Sequence, residues 1–295
     1  MVNINIILKN WGFNDIEVIR NYHKDKDSKR QIYLVFAQGR QMILKGFSDE
    51  KAGSTISNNV AAHEYLGNKK NIAPNIIYTP NGRRYIYEKG FCFYLMEFIQ
   101  GRLLEESVAD EYKLGKLAKQ LHTFEDYHIL SSLNHDKNRF YEWFTEKNFK
   151  KEFDEILDKI PDFKKYEQCF IHTDIGPHNS MMRQNGEVVF IDLDDAGLGS
   201  RHLDLGWPFI MQFVDFNHET GVMKYRFDLA CAFLQGYYEE EELLREEYDL
   251  IWQGAIYMHI SYMKTYGPYA VDSLWGILKY GINRKEKLWD MLKSN

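Results

Sequence analysis

The chain has 295 residues, 44% of them hydrophobic and 27% charged, with a formal net charge of −6, so it is long enough for one large domain or two lobes around a substantial core. Its three cysteines, Cys92, Cys169 and Cys231, are odd in number and widely spaced, which excludes a disulfide framework or a cysteine metal site and leads us to expect a reducing, cytoplasmic setting. A signal-peptide start, an apolar run long enough to span a bilayer and a basic stripe with interleaved aromatics are all missing, so secretion, membrane and nucleic acid are not expected.

Taken in chain order, residues 31–36 and 41–45 read as two strands joined by Ala37-Gln38-Gly39-Arg40, with the glycine marking a hairpin turn. Asn58 to Asn68 reads as a short helix with Val60, Ala61, Tyr65 and Leu66 on one face. Arg84 to Tyr87 and Phe91 to Phe98 form another antiparallel pair around Lys89-Gly90. The character changes at Ile99-Gln-Gly101. From Ser107 to His122, apolar residues Leu114, Leu117, Ala118 and Leu121 recur at helical spacing, and Phe140 to Ile160 is expected to be helical up to Pro161. Residues from about 203 onward read as mostly helical, interrupted at Gly236, Gly254 and Gly267-Pro268. The expected class is α+β in two lobes: a small antiparallel-sheet lobe with one helix over 1–98, and a larger, mostly helical lobe over 99–295.

Between two short apolar runs lies His172-Thr-Asp-Ile-Gly-Pro-His-Asn179, followed by Val188-Val-Phe-Ile-Asp192-Leu-Asp194. This is the pattern that phosphoryl transfer to an alcohol requires. Asp174 is placed to orient the acceptor hydroxyl and take its proton. Gly176-Pro177 forces a tight turn that brings Asn179 back beside it. An amide oxygen from Asn179 and the carboxylate of Asp192 are hard donors suited to magnesium. His172 is expected to fix the shape of the loop. A competing reading makes His172, Asp174 and His178 a transition-metal site, but no further ligand cluster supports it.

These residues resemble the catalytic loop of the aminoglycoside phosphotransferase and choline kinase superfamily, whose members share the two-lobed protein-kinase-like fold. His172, Asp174 and Asn179 match its His-x-Asp-x-x-x-x-Asn, and Ile191-Asp192 matches its Ile-Asp motif. Leu44-Lys45, Tyr94-Leu-Met-Glu-Phe-Ile-Gln-Gly101, Lys116 to His122 and Gly197 to Leu205 extend the likeness over about residues 30–210. The resemblance implies ATP, or GTP, as co-substrate with Mg²⁺. It implies Lys45 on the nucleotide phosphates, Glu64 as the ion-pair partner of Lys45, and the backbone of Glu97 and Ile99 on the purine with Met96 behind it. Asp204 is expected to brace the catalytic loop.

Two departures stand out. His23 to Arg30 has no glycine where a protein kinase carries a glycine-rich cover, so Ser28, Lys29 or Arg30 is expected to serve instead. Thr173 stands where such enzymes often have glycine. Activation-loop signals are missing, which favours a small-molecule acceptor over a protein one. Charge is uneven: residues 1–100 carry 14 Lys+Arg against 9 Asp+Glu, and the rest carry 23 against 34. A basic first part suits a polyphosphate and an acidic second part a cation. Asp194, Asp195 and Trp207 are candidate contacts for the acceptor, expected to be an aminoglycoside-like antibiotic or an amino-alcohol or sugar metabolite. The alternative is a catalytically weak nucleotide-binding module used for interactions.

Overall fold

The computed structural model describes residues 3–22, 30–48, 56, 58–124, 132–217, 219–239, 241–265 and 270–294. Ser28, Lys29, Tyr266 and Gly267-Pro268 lie outside the described residues. The chain divides into two compact units, Met1–Arg102 with Met181–Ala196, and Leu103–Ser180 with Gly197–Asn295. The sequence boundary was drawn at 98/99; the first unit runs on to Arg102 and takes in a second segment from much later in the chain.

In the first unit, α1 (Ile4–Lys9) precedes β1 (Ile16–Asn21), β2 (Arg30–Ala37) and β3 (Arg40–Ser48). A helix over residues 58–63, α2, continues as π-helical turns over Glu64–Lys69. Then come β4 (Ile76–Ile77), β5 (Ile86–Glu88), β6 (Phe91–Glu97) and β7 (Gly101–Leu103). The antiparallel sheet has the order β1-β2-β3-β6-β4, with β5 also on β6. Period-2 alternation sorts its side chains onto two covered faces. Val35, Ala37, Met42, Leu44, Phe93 and Leu95 pack with Ile7, Leu8 and Trp11 on one side. Phe47, Cys92, Tyr94 and Met96 pack with Ile56 and Val60 on the other. Lys45 pairs with Tyr94 across the strands, so it shares the α2 face.

The second unit carries α3 (Val108–His122), α4 (Lys150–Lys159) and β8 (Gln168–Ile171). Next in the chain, β9 (Ser180–Arg183) and β10 (Val188–Phe190) join β7 in a sheet of order β10-β9-β7. The second unit resumes with β11 (Gly197–Ser200), α5 (Arg201–Met211), β12 (Val214–Phe216), β13 (Met223–Tyr225), α6 (Phe227–Tyr238), α7 (Arg245–Thr265), α8 (Val271–Ile282) and α9 (Lys285–Ser294). Ser107 caps α3 by accepting the Asp110 N–H at 3.3 Å, which satisfies one of the open donors at a helix start. Its apolar face, Leu114, Leu117, Ala118 and Leu121, is buried. All three cysteines are buried thiols. No helix among the described residues is long and apolar enough to cross a membrane.

Two expectations about this region are corrected. Gly236 and Gly254 lie inside α6 and α7 and do not interrupt them. A Cβ at Gly236 would stand 1.9 Å from the Tyr112 carbonyl oxygen, and one at Gly254 2.0 Å from that of His202. These glycines let helix backbones touch. The helix expected over 140–160 forms only as α4, preceded by a 3₁₀ turn at Lys137–Phe140.

The second unit also buries neutral imidazoles. Burial holds His259 down at about 4, although its Nε2 donates to the Leu274 carbonyl at 2.8 Å. His135 is likewise held at about 4 by burial and by Arg139. With unfolded values near 6.5, the unfolded chain binds protons first as pH falls, so stability is full above about 6.5 and declines toward 4. Each residue is worth about 3 kcal/mol once fully protonated in the unfolded state. Urea unfolding between pH 7 and pH 4 is expected to show this decline, with a shallower slope in His259→Gln; parallel slopes would refute the assignment.

Candidate functional site

In the first unit the site grows from the register of β2 and β3. Arg30 lies opposite Phe47 and Ile32 opposite Lys45, which puts Arg30 and Lys45 on the same sheet face. The Lys45 ammonium is buried, 2.8 Å from Asp192 Oδ1 and 3.1 Å from Asp194 Oδ1. Burial, with the nearby Arg30 charge, pulls Lys45 down to about 8 against the opposing pull of Asp192. Arg30 Nη2 also contacts Asp192 Oδ1 and Asp194 Oδ2. Asn59 of α2 donates to Asp194 Oδ1 at 3.4 Å. Asp192 follows β10 with φ +60°, a left-handed conformation that turns its carboxylate away from the strand path.

Glu64 is not the partner of Lys45. Its carboxylate meets Arg84 at 3.1 Å and accepts from the Tyr78 hydroxyl at 2.5 Å. Asn59 faces the lysine cluster, and five residues at 3.6 per turn carry Glu64 about 140° around the helix from it. Asp194, expected at the acceptor, has its carboxylate taken up by Lys45, Arg30 and Asn59 in the first unit. Asp195 beside it is exposed and adds negative charge near Lys45.

Met96 and Ile99 are buried, and the Glu97 carboxylate is held by Arg183 Nη1 at 2.9 Å and Asn75 Nδ2 at 3.0 Å. The Glu97 N–H is spent on the Asn75 carbonyl at 2.9 Å. The Ile99 N–H has no backbone partner among the described residues. A hydrogen-bonding ring would therefore find the Ile99 donor, and not that of Glu97.

In the second unit β8 delivers the chain to His172, and α5 supplies the brace. Asp204 in the first turn of α5 is fully buried. Its carboxylate accepts the His172 N–H at 2.7 Å, the Thr173 N–H at 2.6 Å and His122 Nε2 at 3.0 Å. Thr173 has φ +73°, which costs a β-branched residue about 1–2 kcal/mol. Two charge-assisted hydrogen bonds from Asp204 hold it there. His172 is thus a buried structural member of the loop. Asp174 is half-exposed, and its Oδ2 accepts Asn179 Nδ2 at 2.7 Å while Oδ1 meets His178 Nε2 at 3.3 Å. Burial works to raise its pKa, but the His178 bond and charge, the His172 charge and Asn179 together hold it below the ordinary carboxylate value. Gln212 braces the same loop by donating to the Ile175 carbonyl.

Each unit carries hard oxygen donors of the kind magnesium takes. Asn179 Nδ2 is committed to the Asp174 carbonyl at 3.0 Å and to its carboxylate, which leaves the amide oxygen as the atom able to meet a hard cation. Asp192 and Asp194 present carboxylate oxygens converged on one cationic cluster. No group of three or more His, Cys, Asp or Glu that could hold a metal ion occurs among the described residues. Trp207 lies partly buried on α5, edge-on to Tyr262 at 5.9 Å. Sequence reasoning missed Asn59 altogether and gave Arg30 only a loop-cover role.

The family model described as "Phosphotransferase enzyme family" matches residues 26–243. No curated protein matches the sequence. Among solved structures, the chain is similar to an aminoglycoside phosphotransferase from Alicyclobacillus acidocaldarius, with TM-score 0.61, 14% identity and coverage of 100% of this chain and 96% of that one. It is similar to choline kinase LicA from Streptococcus pneumoniae, with TM-score 0.58, 16% identity and 98% of each chain covered. A microcompartment-associated aminopropanol kinase gives TM-score 0.64 at 13% identity, covering 99% of this chain and 97% of that one. At such identities the likeness establishes the bilobal kinase-like fold.

Two substitutions test the brace. Thr173→Gly relieves the left-handed strain and is expected to stabilise the protein by about 0.5–1 kcal/mol after the entropy of glycine is counted. Asp204→Asn turns an acceptor into a part donor facing two buried N–H groups and is expected to cost about 2–3 kcal/mol. Chemical denaturation reads both; an unchanged midpoint in Asp204→Asn would show that the carboxylate is not the brace.

Proposed function

The chain belongs to the phosphotransferase enzyme family, and from that premise we propose that it moves the γ-phosphoryl group of ATP, bound with Mg²⁺, to a hydroxyl of a small cationic molecule. The observation that carries the reading is Asp174: a carboxylate kept ionised and half-exposed, on a loop fixed from behind by Asp204. Such a group accepts the hydroxyl proton as the new bond to phosphorus forms. Asn179 orients it through Nδ2 and keeps its amide oxygen for magnesium. Asp192 and Asp194 are the carboxylates assigned to the metal, and Lys45 the cation assigned to the nucleotide phosphates. When bound, magnesium would neutralise charge on the phosphates. Met96 and the Ile99 N–H are assigned to the purine.

The cationic acceptor is supported by charge. Residues 101–295 hold the acidic excess, and around Arg226 in the second unit stand Asp228, Asp215 and Glu106; the hydrogen bond to Asp228, and then these charges, raise its pKa against an opposing effect of burial. Asp228 itself lies 2.8 Å from the guanidinium. Asp215 follows closely on Gln212, which holds the catalytic loop. A surplus of carboxylates in that stretch favours an ammonium-bearing alcohol. Trp207 is a candidate aromatic face for it.

The test is ADP formation with MgATP against a panel of amine-bearing alcohols, sugars and aminoglycosides, on wild type and Asp174→Asn. Turnover is expected to fall about 10²–10⁴-fold in the variant, with nucleotide affinity kept within about threefold because Asp174 does not hold the nucleotide. A variant that turns over like wild type would remove Asp174 as the base. Nucleotide binding with no acceptor-dependent turnover on any compound would favour the interaction-module reading.

A further inference from the structure

Arg30 stands apart from the loop-cover role expected of it. It opens β2 opposite Phe47, and its guanidinium lies over the Phe47 ring, 5.8 Å from the centroid. From there Nη2 reaches both Asp192 Oδ1 and Asp194 Oδ2. Lys45 reaches the same two carboxylates. The result is two cations and two anions, each cation shared between both carboxylates. The sides of this quartet are unequal. The Arg30 and Asp192 side chains are 33% and 35% exposed, whereas Lys45 and Asp194 are 4% and 9% exposed. A solute arriving at the carboxylates therefore meets Arg30 first and Lys45 last.

We propose that Arg30 is a resident counter-cation of the Asp192–Asp194 pair, which a divalent metal displaces only when a polyphosphate arrives with it to take over the guanidinium. The inference rests on the magnesium-nucleotide reading above and adds an order of events to it. A metal ion alone must expel a group that cannot deprotonate, leaving its charge a few ångströms away. A metal-polyphosphate complex supplies the compensating anion, and the planar guanidinium fork matches phosphate oxygens as well as it matches carboxylates. Arg30 thus suppresses binding of free metal and strengthens binding of the metal-nucleotide complex. The Phe47 ring gives it a fixed place to stand in either role.

The probe is Mn²⁺, followed by the electron paramagnetic resonance signal of the free ion, titrated with and without ADP into wild type, Arg30→Gln and Arg30→Lys. Wild type is expected to bind Mn²⁺ weakly alone and at least 10-fold more tightly with ADP. Arg30→Gln is expected to bind Mn²⁺ alone at least 10-fold more tightly than wild type, to show weaker ADP affinity, and to lose this new metal site when Asp192→Asn is added. Arg30→Lys keeps a charge at the same place and is expected to stay close to wild type for Mn²⁺ alone, which also guards against a folding defect in the glutamine variant. If wild type binds Mn²⁺ with ADP but Arg30→Gln gains nothing for Mn²⁺ alone, the counter-cation role is overturned while the kinase reading stands. If no variant, nor wild type, binds Mn²⁺ in the presence of ADP, the magnesium-nucleotide reading falls and takes this inference with it.

Discussion

A buried ammonium needs a carboxylate, and in this molecule that need reaches across the chain. Lys45 lies on a central strand with almost no access to water, and its charge is met by Asp192 and Asp194, about 150 residues later. Removing one partner of such a pair would leave an uncompensated buried charge, at a cost of about 3–5 kcal/mol. The pair is one of several ties, with the Phe190 N–H on the Ile72 carbonyl and Arg183 on Glu97, that join residues 181–196 to the first compact unit. Lys45 and the two carboxylates that meet it are parts of one compact unit.

The second unit repeats the logic with the signs exchanged. Here the buried group is the Asp204 carboxylate, and the partners are two backbone N–H groups and an imidazole. Two of these hydrogen bonds pin the residues just before Asp174, so Asp174 stands on a loop whose backbone has little freedom even though its side chain is open to solvent. The left-handed Thr173 and Asp192 mark both motif loops as places where local conformational preference yields to the requirements of a site. Strain at such positions is sustained by the surrounding hydrogen bonds, which over-determine the backbone.

What was legible in the sequence follows from range. Asp174 and Asn179 lie five residues apart on a Gly-Pro turn, so their contact is encoded locally. The hairpin of β2 and β3 and the amphipathic α3 carry periodicities that a single strand or helix reveals by itself. Arg30 and Asn59 were not legible as site residues, because their meetings with Asp192 and Asp194 depend on strand register and helix phase settled over more than 130 residues. Glu64 was misassigned for the same reason: a lone acidic residue on a helix says nothing about which way the helix is turned. Gly236 and Gly254 look like helix breaks in one dimension and become intelligible only as contact points between helices. Short strands such as β11, β12 and β13 carry three or four residues each, too few for alternation to declare them.

The proposed chemistry depends on a polyphosphate and magnesium binding together at Lys45, Asp192 and Asp194. Calorimetric titration of ATP into the wild-type protein, once with Mg²⁺ and once with a chelator, tests this without knowledge of the acceptor. Joint binding at these residues requires saturable ATP binding that strengthens at least 10-fold with Mg²⁺. ATP binding that is indifferent to Mg²⁺, or absent in both titrations, would contradict it.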